Sequence, residues 1–414
     1  MRVPQASRLP AVGALRAAVV AGLAAVALLG AAAVTGPAAA AEGTVHVTSG
    51  AKPLPDRYLV LFRTDPATSA ATYRKRTDQL AQRYSARVRY RYSSALQGFA
   101  AEMSAKQARQ VAANPAVARV EQDSIVRISA TQTSATWGLD RIDQRALPLN
   151  RKYTYTQTAS NVSAYIIDTG IRTTHSDFGG RARIGVDTSD SIPLIGGPRD
   201  GQDCNGHGTH IAGTLGGTRY GVAKKVRLIA VRVLDCSGSG SISAVVAGVD
   251  WVKKNARKPA VANMSLGGAA SSSLDSAVRS AISSGVTFVV AGGNSNEDAC
   301  NSSPGRVGPA LTVGATTPAD ARASYSNYGP CVDMFAPGSD ITSDWYTSDT
   351  ATDKFSGTSM AAPHVAGAVA LYLAGHPSAS TATVHSALVS ASTKNKVKSP
   401  GPGSPNRLVY TASL

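Results

Sequence analysis

Three short segments of this 414-residue chain hold residue types that together could cleave an acyl bond. Ile166-Ile167-Asp168-Thr169-Gly170 ends an apolar run on a carboxylate. Asn205-Gly206-His207-Gly208-Thr209-His210 sets an imidazole between glycines, which let another backbone come close. Gly357-Thr358-Ser359-Met360-Ala361 opens a long apolar helix with a hydroxyl, where the helix dipole favours developing negative charge. Singly, each has an ordinary structural reading: a capping Asp, a packed His, an N-cap Ser. Jointly they supply an orienting acid, a general base and a nucleophile. The His follows the Asp by 39 residues and the Ser follows the His by 152. His207 and His210, at i and i+3, would also suit a metal, but no carboxylate in that segment completes a ligand set. A lipase or esterase elbow needs G-x-S-x-G, and Ala361 stands where the second Gly would be.

Such residues need a frame that brings them together. Val162 to Ile167, Val226 to Leu234, Val261 to Leu266, Val286 to Ala291 and Leu311 to Val313 are nearly continuous apolar runs, as expected of buried parallel strands. Helical patterns at 207–216, 242–256 and 273–284 lie between them, and another runs from Ser359 to about Ala374. This alternation predicts an α/β fold with a doubly wound parallel sheet, whose sites form at the carboxyl ends of the strands. Earlier in the chain the order differs. Tyr58 to Phe62, Val88 to Ser93, Phe99 to Met103 and Val117 to Asp123 read as strands. Helices over 66–84 and from Ser104 to Pro115 make the order β-α-β-β-α-β. That is a small α+β, ferredoxin-like module over about 55–128, preceded by a polar lead-in at 42–54.

The ends and composition set the context. Arg2, Arg8 and Arg16 precede the apolar stretch Ala17 to Val34, then Pro37 and Ala38-Ala39-Ala40-Ala41. This reads as a signal peptide over residues 1–41, removed on export, and implies a secreted protein without stable membrane association. The formal net charge is +16. Residues 42–129 hold 14 basic and 7 acidic residues, so much of the surplus sits early. No Lys/Arg run and few aromatics (6%) argue against nucleic-acid binding. The four cysteines, Cys204, Cys236, Cys300 and Cys331, favour disulfides in an exported chain. Three connectivities are possible, and neighbour pairing is the simplest.

All three segments resemble the subtilisin-like serine proteases, in the proteinase K branch, with a close match to aqualysin-like enzymes. The order Asp, His, Ser is the subtilisin order. Ala130-Thr131-Gln132 with Trp137-Gly138-Leu139-Asp140 is similar to a mature N-terminus of that family. Ala262-Asn263-Met264-Ser265-Leu266-Gly267-Gly268, Ser326-Asn327-Tyr328-Gly329 and Ser404-Pro405-Asn406-Arg407-Leu408 match as well. The similarity spans residues 130–414, the expected peptidase domain. Residues 42–129 resemble the family's inhibitory propeptide.

The resemblance implies a secreted, monomeric, broad-specificity serine endopeptidase that acts through an acyl-enzyme on proteins and peptides. It also implies self-processing near Ser129–Ala130, with the propeptide as intramolecular inhibitor. A catalytically inactive peptide-binding homologue is the alternative. Asp168, His207 and Ser359 would be the triad, and Asn294 with the Ser359 backbone N–H the oxyanion hole, weakly assisted by Thr358. Ser237, Gly238, Ser239 and Gly240 on one side, and Ser265, Leu266 and Gly267 on the other, would grip substrate as an added strand. Ala291 and Gly292 would line the primary pocket. The family usually has Ala at Gly292, so a wider pocket is expected. Calcium would be held by Asp333 with carbonyls near Gly308 and Ala310, and at a second site by Asp140, Asp143, Gln144 and Asn150. The cysteine spacings match aqualysin-like disulfides, Cys204–Cys236 and Cys300–Cys331.

Overall fold

The structure is a computed structural model and describes residues 41–48, 52–127, 136–189 and 201–414. The expected signal segment and the junction near 129–130 lie outside the described residues. No described helix is long and apolar enough to cross a membrane.

The five expected buried runs form the middle of a nine-stranded sheet. From one edge its strands are Ala182–Asp187, Arg227–Arg232, Ser163–Asp168, Ala260–Met264, Thr287–Ala291, Leu311–Thr316, Met334–Pro337, Arg407–Leu408 and Thr393–Lys394. All neighbours are parallel except the last pair. The chain leaves Ser163–Asp168 toward one edge and returns to pair Ala260–Met264 on its other side. Asp168 therefore ends the strand at the switch in strand order, where α/β sheets open a crevice.

Alternation along the strands divides the core. Ala164, Ile166, Val289 and Val313 face helices His207–Gly216 and Thr358–Gly375, meeting Ile211, Leu215, Val365 and Val369. Tyr165, Ile167, Phe288 and Val290 face helices Ile242–Asn255 and Ser272–Ser283, meeting Val245, Val249, Leu274 and Val278. The two helices that start at His207 and Thr358 thus lie on one face of the sheet, and both begin near its carboxyl edge. Four strands of this sheet escaped the sequence pattern, two of them, Arg407–Leu408 and Thr393–Lys394, only two residues long. Ala182–Asp187 is an edge strand interrupted by Arg183 and Gly185, and Met334–Pro337 is short and ends on Pro.

The N-terminal module has the expected order: Lys52–Phe62, Ala70–Arg83, Arg87–Tyr92, Gly98–Glu102, Ala105–Ala112 and Val117–Arg127. The strand Lys52–Phe62 points Tyr58, Val60 and Phe62 into the module's own small core. Its other face, Leu59 and Leu61, joins Tyr92 and Leu96 in the core of the larger domain. Burying each such side chain stabilises by about 1.5–3 kcal/mol, so the module's fold depends on what it docks against. The lead-in is not a loose tail throughout: Val45–His46 pairs in parallel with Val120–Glu121 and covers a strand edge.

Candidate active site

Asp168 and His207 meet as the sequence implied. Asp168 Oδ1 lies 2.7 Å from His207 Nδ1, with both side chains buried. A carboxylate at Nδ1 can only accept, which places the ring proton on Nδ1 and leaves Nε2 as a basic lone pair. His207 Nε2 is buried without a hydrogen-bond partner. His210 is a structural neighbour. Its Nε2 donates to the Ile341 carbonyl at 2.9 Å and its ring meets Phe355 edge-on. Burial, then the charge of His207, push its pKa down to about 3, so it stays neutral.

Ser359 is the second residue of its helix and is buried. Its Oγ donates to the Ser265 carbonyl at 3.1 Å, while Ser265 Oγ donates to the Ser359 carbonyl at 2.7 Å. The Ser359–His207 hydrogen bond is thus not closed in this structure. The two residues share one stretch of the sheet rim. Asn263 pairs with Ile166, and two residues further on in each strand stand Ser265 and Asp168.

Asn294 follows the strand Thr287–Ala291. Its Oδ1 accepts from Thr358 N (2.8 Å) and Thr358 Oγ1 (2.9 Å), and Thr358 Oγ1 accepts from Gly293 N (3.1 Å). These bonds fix which end of the amide is the donor, Nδ2. Thr358 does more than the sequence suggested, since it orients the amide of Asn294. Asn327, which the sequence matched without a role, braces the same loop by accepting from Ser295 N and Glu297 N and donating to the Gly292 carbonyl.

A cleft of about 860 Å³ opens over these residues. Ser359, Thr358, Asn294, Ser265, Leu266, Gly267 and Ala291 line it. Gly292 is not in its wall. A Cβ there would stand 3.1 Å from the Val313 carbonyl. Ser237 to Gly240 lie outside the cleft wall and form an edge. Ser239–Ser241 pairs antiparallel with residues 125–127 of the N-terminal module.

Two carboxylates of that module reach into the larger domain, which the sequence did not reveal. Glu121 accepts from Ser271 Oγ (2.6 Å), Ser273 N (3.1 Å) and Ser273 Oγ (2.8 Å), at the start of helix Ser272–Ser283. Asp123 accepts from Ser243 N (3.0 Å) and Ser243 Oγ at the start of helix Ile242–Asn255. Negative charge at helix N-termini is favourable. Asp250 returns the contact, accepting Ser94 N and Ala95 N at 2.8 and 2.7 Å.

The two expected cation sites differ. Asp143 Oδ1 is buried without a hydrogen-bond partner. Burial, and then the charge of Asp140, push the Asp143 carboxyl up. Asp140 accepts from Asn150 N and Arg151 N. Gln144 Nε2 donates to the Ala146 and Pro148 carbonyls, which leaves Oε1 as an acceptor. Two carboxylates and amide oxygens with an orphaned acceptor fit a hard cation. Asp333 has both oxygens engaged, with Thr312 N at 2.8 Å and His385 Nε2 at 3.1 Å. Among the described residues no three His, Cys, Asp or Glu side chains gather as a metal cluster. The cysteines form Cys204–Cys236 and Cys300–Cys331, the neighbour pairs.

Comparison with known proteins agrees with this geometry. The Subtilase family model matches residues 159–409, and the Peptidase inhibitor I9 model matches residues 57–129. Over 326 residues the chain is 57% identical to an extracellular serine proteinase of Thermus sp. (strain Rt41A), covering 79% of this chain and 78% of that one. Over 370 residues it is 50% identical to alkaline serine exoprotease A of Vibrio alginolyticus, covering 86% and 68%. The crystal structure of a cold-adapted subtilisin-like serine proteinase, 53% identical, matches with a TM-score of 0.64 over 67% of this chain and 99% of that one. Nothing in these matches supports an inactive homologue. The chain therefore belongs to the subtilase family, and is a serine endopeptidase of the proteinase K type that carries an I9 propeptide ahead of its peptidase domain.

Proposed function

We propose that Ser359 is the nucleophile, His207 the general base and Asp168 the residue that orients and charges-up the imidazole. The observation that carries this is the Asp168–His207 pair with an unpartnered, buried Nε2, one strand away from the Ser265 carbonyl that holds Ser359. Ser359 Oγ turns from Ser265 to His207 Nε2, gives up its proton there and attacks the peptide carbonyl carbon. The carbonyl oxygen takes the electron pair and is met by Ser359 N–H and Asn294 Nδ2. His207 passes its proton to the departing amine, the C–N bond breaks and an acyl-enzyme remains. Water then attacks with His207 again as base, and the acid is released.

Substrate adds as a strand between Ser237–Gly240 and Ser265–Gly267, with Ala291 in the wall of the primary pocket. Main-chain gripping suits broad specificity. Calcium would be held by Asp140, Asp143, Gln144 and Asn150, and bound there it would supply charge that lets two neighbouring carboxylates stay ionised. At Asp333, with the Gly308 and Ala310 carbonyls, a cation would first have to displace His385. The protein is secreted after loss of residues 1–41 and works as a monomer. It removes residues 42–129 by cutting near Ser129–Ala130.

Ser359→Ala should accumulate as an uncut precursor, and a serine-directed phosphonyl fluoride should label Ser359 in the wild type. Normal maturation of the variant in a protease-free system, or no labelling, overturns the assignment.

A further inference from the structure

The mechanism leaves one buried carboxylate beside the triad without a task. Asp203 is only 8% exposed, and it accepts five hydrogen bonds. Oδ1 takes Thr169 Oγ1 (2.9 Å), Asn205 N (2.9 Å) and Gly206 N (2.8 Å). Oδ2 takes Thr209 N (2.9 Å) and Thr209 Oγ1 (2.6 Å). These donors fall into two groups. Thr169 directly follows Asp168 at the strand end. Asn205, Gly206 and Thr209 bracket His207 at the helix start. Thr169 Oγ1 also accepts from Gly208 N at 2.9 Å, which closes a second link between the same two segments. The fit allows little slack: a Cβ on Gly208 would stand 2.1 Å from the Gly170 carbonyl, and one on Gly170 2.7 Å from the Gly201 carbonyl.

We propose that Asp203 is a positioning residue for catalysis, a clamp that fixes the helix start bearing His207 against the strand end bearing Asp168. The inference rests on His207 being the general base. Its physical basis is the number of donors that converge on one ion. Hydrogen bonds to a charged acceptor are roughly twice as strong as neutral ones, and the backbone N–H groups at a helix start point at it. Loss of the clamp lets the imidazole drift from Asp168. The imidazolium then loses stabilisation. Loss of the Asp203 charge acts in the same direction.

Asp203→Asn keeps the shape but turns one acceptor oxygen into a donor facing N–H groups. Full-length precursor variants are matured and normalised by active-site titration with a phosphonyl fluoride. For Asp203→Asn, kcat should fall on the order of 10²-fold, the loss expected for a misplaced catalytic group. KM for a short peptide should stay within a few-fold, and the acid limb of kcat/KM should move to lower pH. If Asp203→Asn does not fold, Thr169→Val severs the tie to the strand end while keeping the charge, and should show the same kcat loss in milder form. Titrated enzyme that keeps wild-type kcat and an unmoved acid limb in both variants reduces Asp203 to a folding role and overturns the proposal. Failure of the wild type itself to titrate would instead sink the triad assignment.

Discussion

Val126 lies opposite Gly240 in an antiparallel ladder that runs from Ile125–Ser241 to Arg127–Ser239. The end of the propeptide thus pairs with the edge that, on the proposed reading, grips an extended substrate. On the proposed cut near Ser129–Ala130, this edge would read main chain a few residues before the scissile bond. A Cβ on Gly240 would stand 2.5 Å from the Val233 carbonyl, a backbone atom that cannot swing away. Gly240→Ala should therefore push the edge outward at a cost of about 1–3 kcal/mol, as overpacking does. KM should rise for peptides long enough to reach residue 240, while kcat/KM for a single-residue ester should stay unchanged. Equal losses on long and short substrates would deny this edge a role in binding.

Propeptide release should depend on the two buried carboxylates. Glu121 is 1% exposed and serves the start of helix Ser272–Ser283. Truncating such a charged, buried partner at an interface costs roughly 2–5 kcal/mol, mostly in dissociation rate. After self-cleavage, Glu121→Ala should shorten the lag before azocasein hydrolysis begins. Asp123→Ala should do the same. An unchanged lag in the double variant would show that release is limited by another step.

The parallel core and the places of the three candidate segments, one at a strand end and two at helix starts, were legible in the sequence because buried strands leave unbroken apolar runs. The helix His207–Gly216 starts and ends where its pattern did. Edge strands were not legible, since Ala182–Asp187 mixes Arg, Gly and Val and has no strict period. Nor were Glu121 and Asp123: their partners lie 150 and 120 residues away, and nothing local marks an acid in a strand as another helix's cap. The surroundings of Gly292 were not legible for a related reason. Its type was visible, but the direction of the missing Cβ depends on where Val313 runs.

On the proposed reading, Asn294→Ala removes one oxyanion donor. Losing such a donor costs about 10²–10³ in kcat with little change in KM. Thr358→Val should produce a smaller fall, because Asn294 keeps its amide and loses only one of the two bonds that orient it, the one from the hydroxyl. Thr358 N remains to hold Oδ1, so only part of the effect should appear. A kcat in Thr358→Val as low as that in Asn294→Ala would mean that the hydroxyl itself contacts the oxyanion.

Calcium should act through the loop from Asp140 to Asn150. With EDTA the two carboxylates face each other unscreened, and the pocket should loosen. Thermal inactivation should speed up in EDTA for the wild type, and Asp143→Asn should inactivate at one rate with or without calcium. An Asp143→Asn enzyme that still gains its full protection from calcium would move the important site elsewhere, with Asp333 the next place to look.

The alkaline side of the stability profile should be set by a buried acid far from the chemistry. Asp344 is fully buried, and neither of its oxygens has a hydrogen-bond donor. It faces Asp177, whose carboxylate is held by Arg219 N at 2.7 Å. A Cβ on Gly217 would meet Asp177 Oδ2 at 2.3 Å and Asp344 Oδ2 at 3.1 Å, so the two carboxyls share one space against the end of helix His207–Gly216. His175 Nδ1 stands 3.6 Å from Asp344, and Arg181 is the nearby cation. Burial, then the charge of Asp177, push the Asp344 carboxyl from 3.8 up to about 9, with Arg181 opposing. The folded state therefore holds a proton that the unfolded chain has lost. Its contribution is full below about pH 4 and is lost progressively as pH rises to about 9, at up to roughly 1.4 kcal/mol per pH unit. Asp344→Asn keeps the shape and has nothing to ionise. Measured in the Ser359→Ala precursor, which on this reading cannot digest itself, Tm should fall between pH 5 and pH 9 more steeply with Asp344 than with Asn. Parallel Tm curves for the two would show that this carboxyl pair does not govern the alkaline limit.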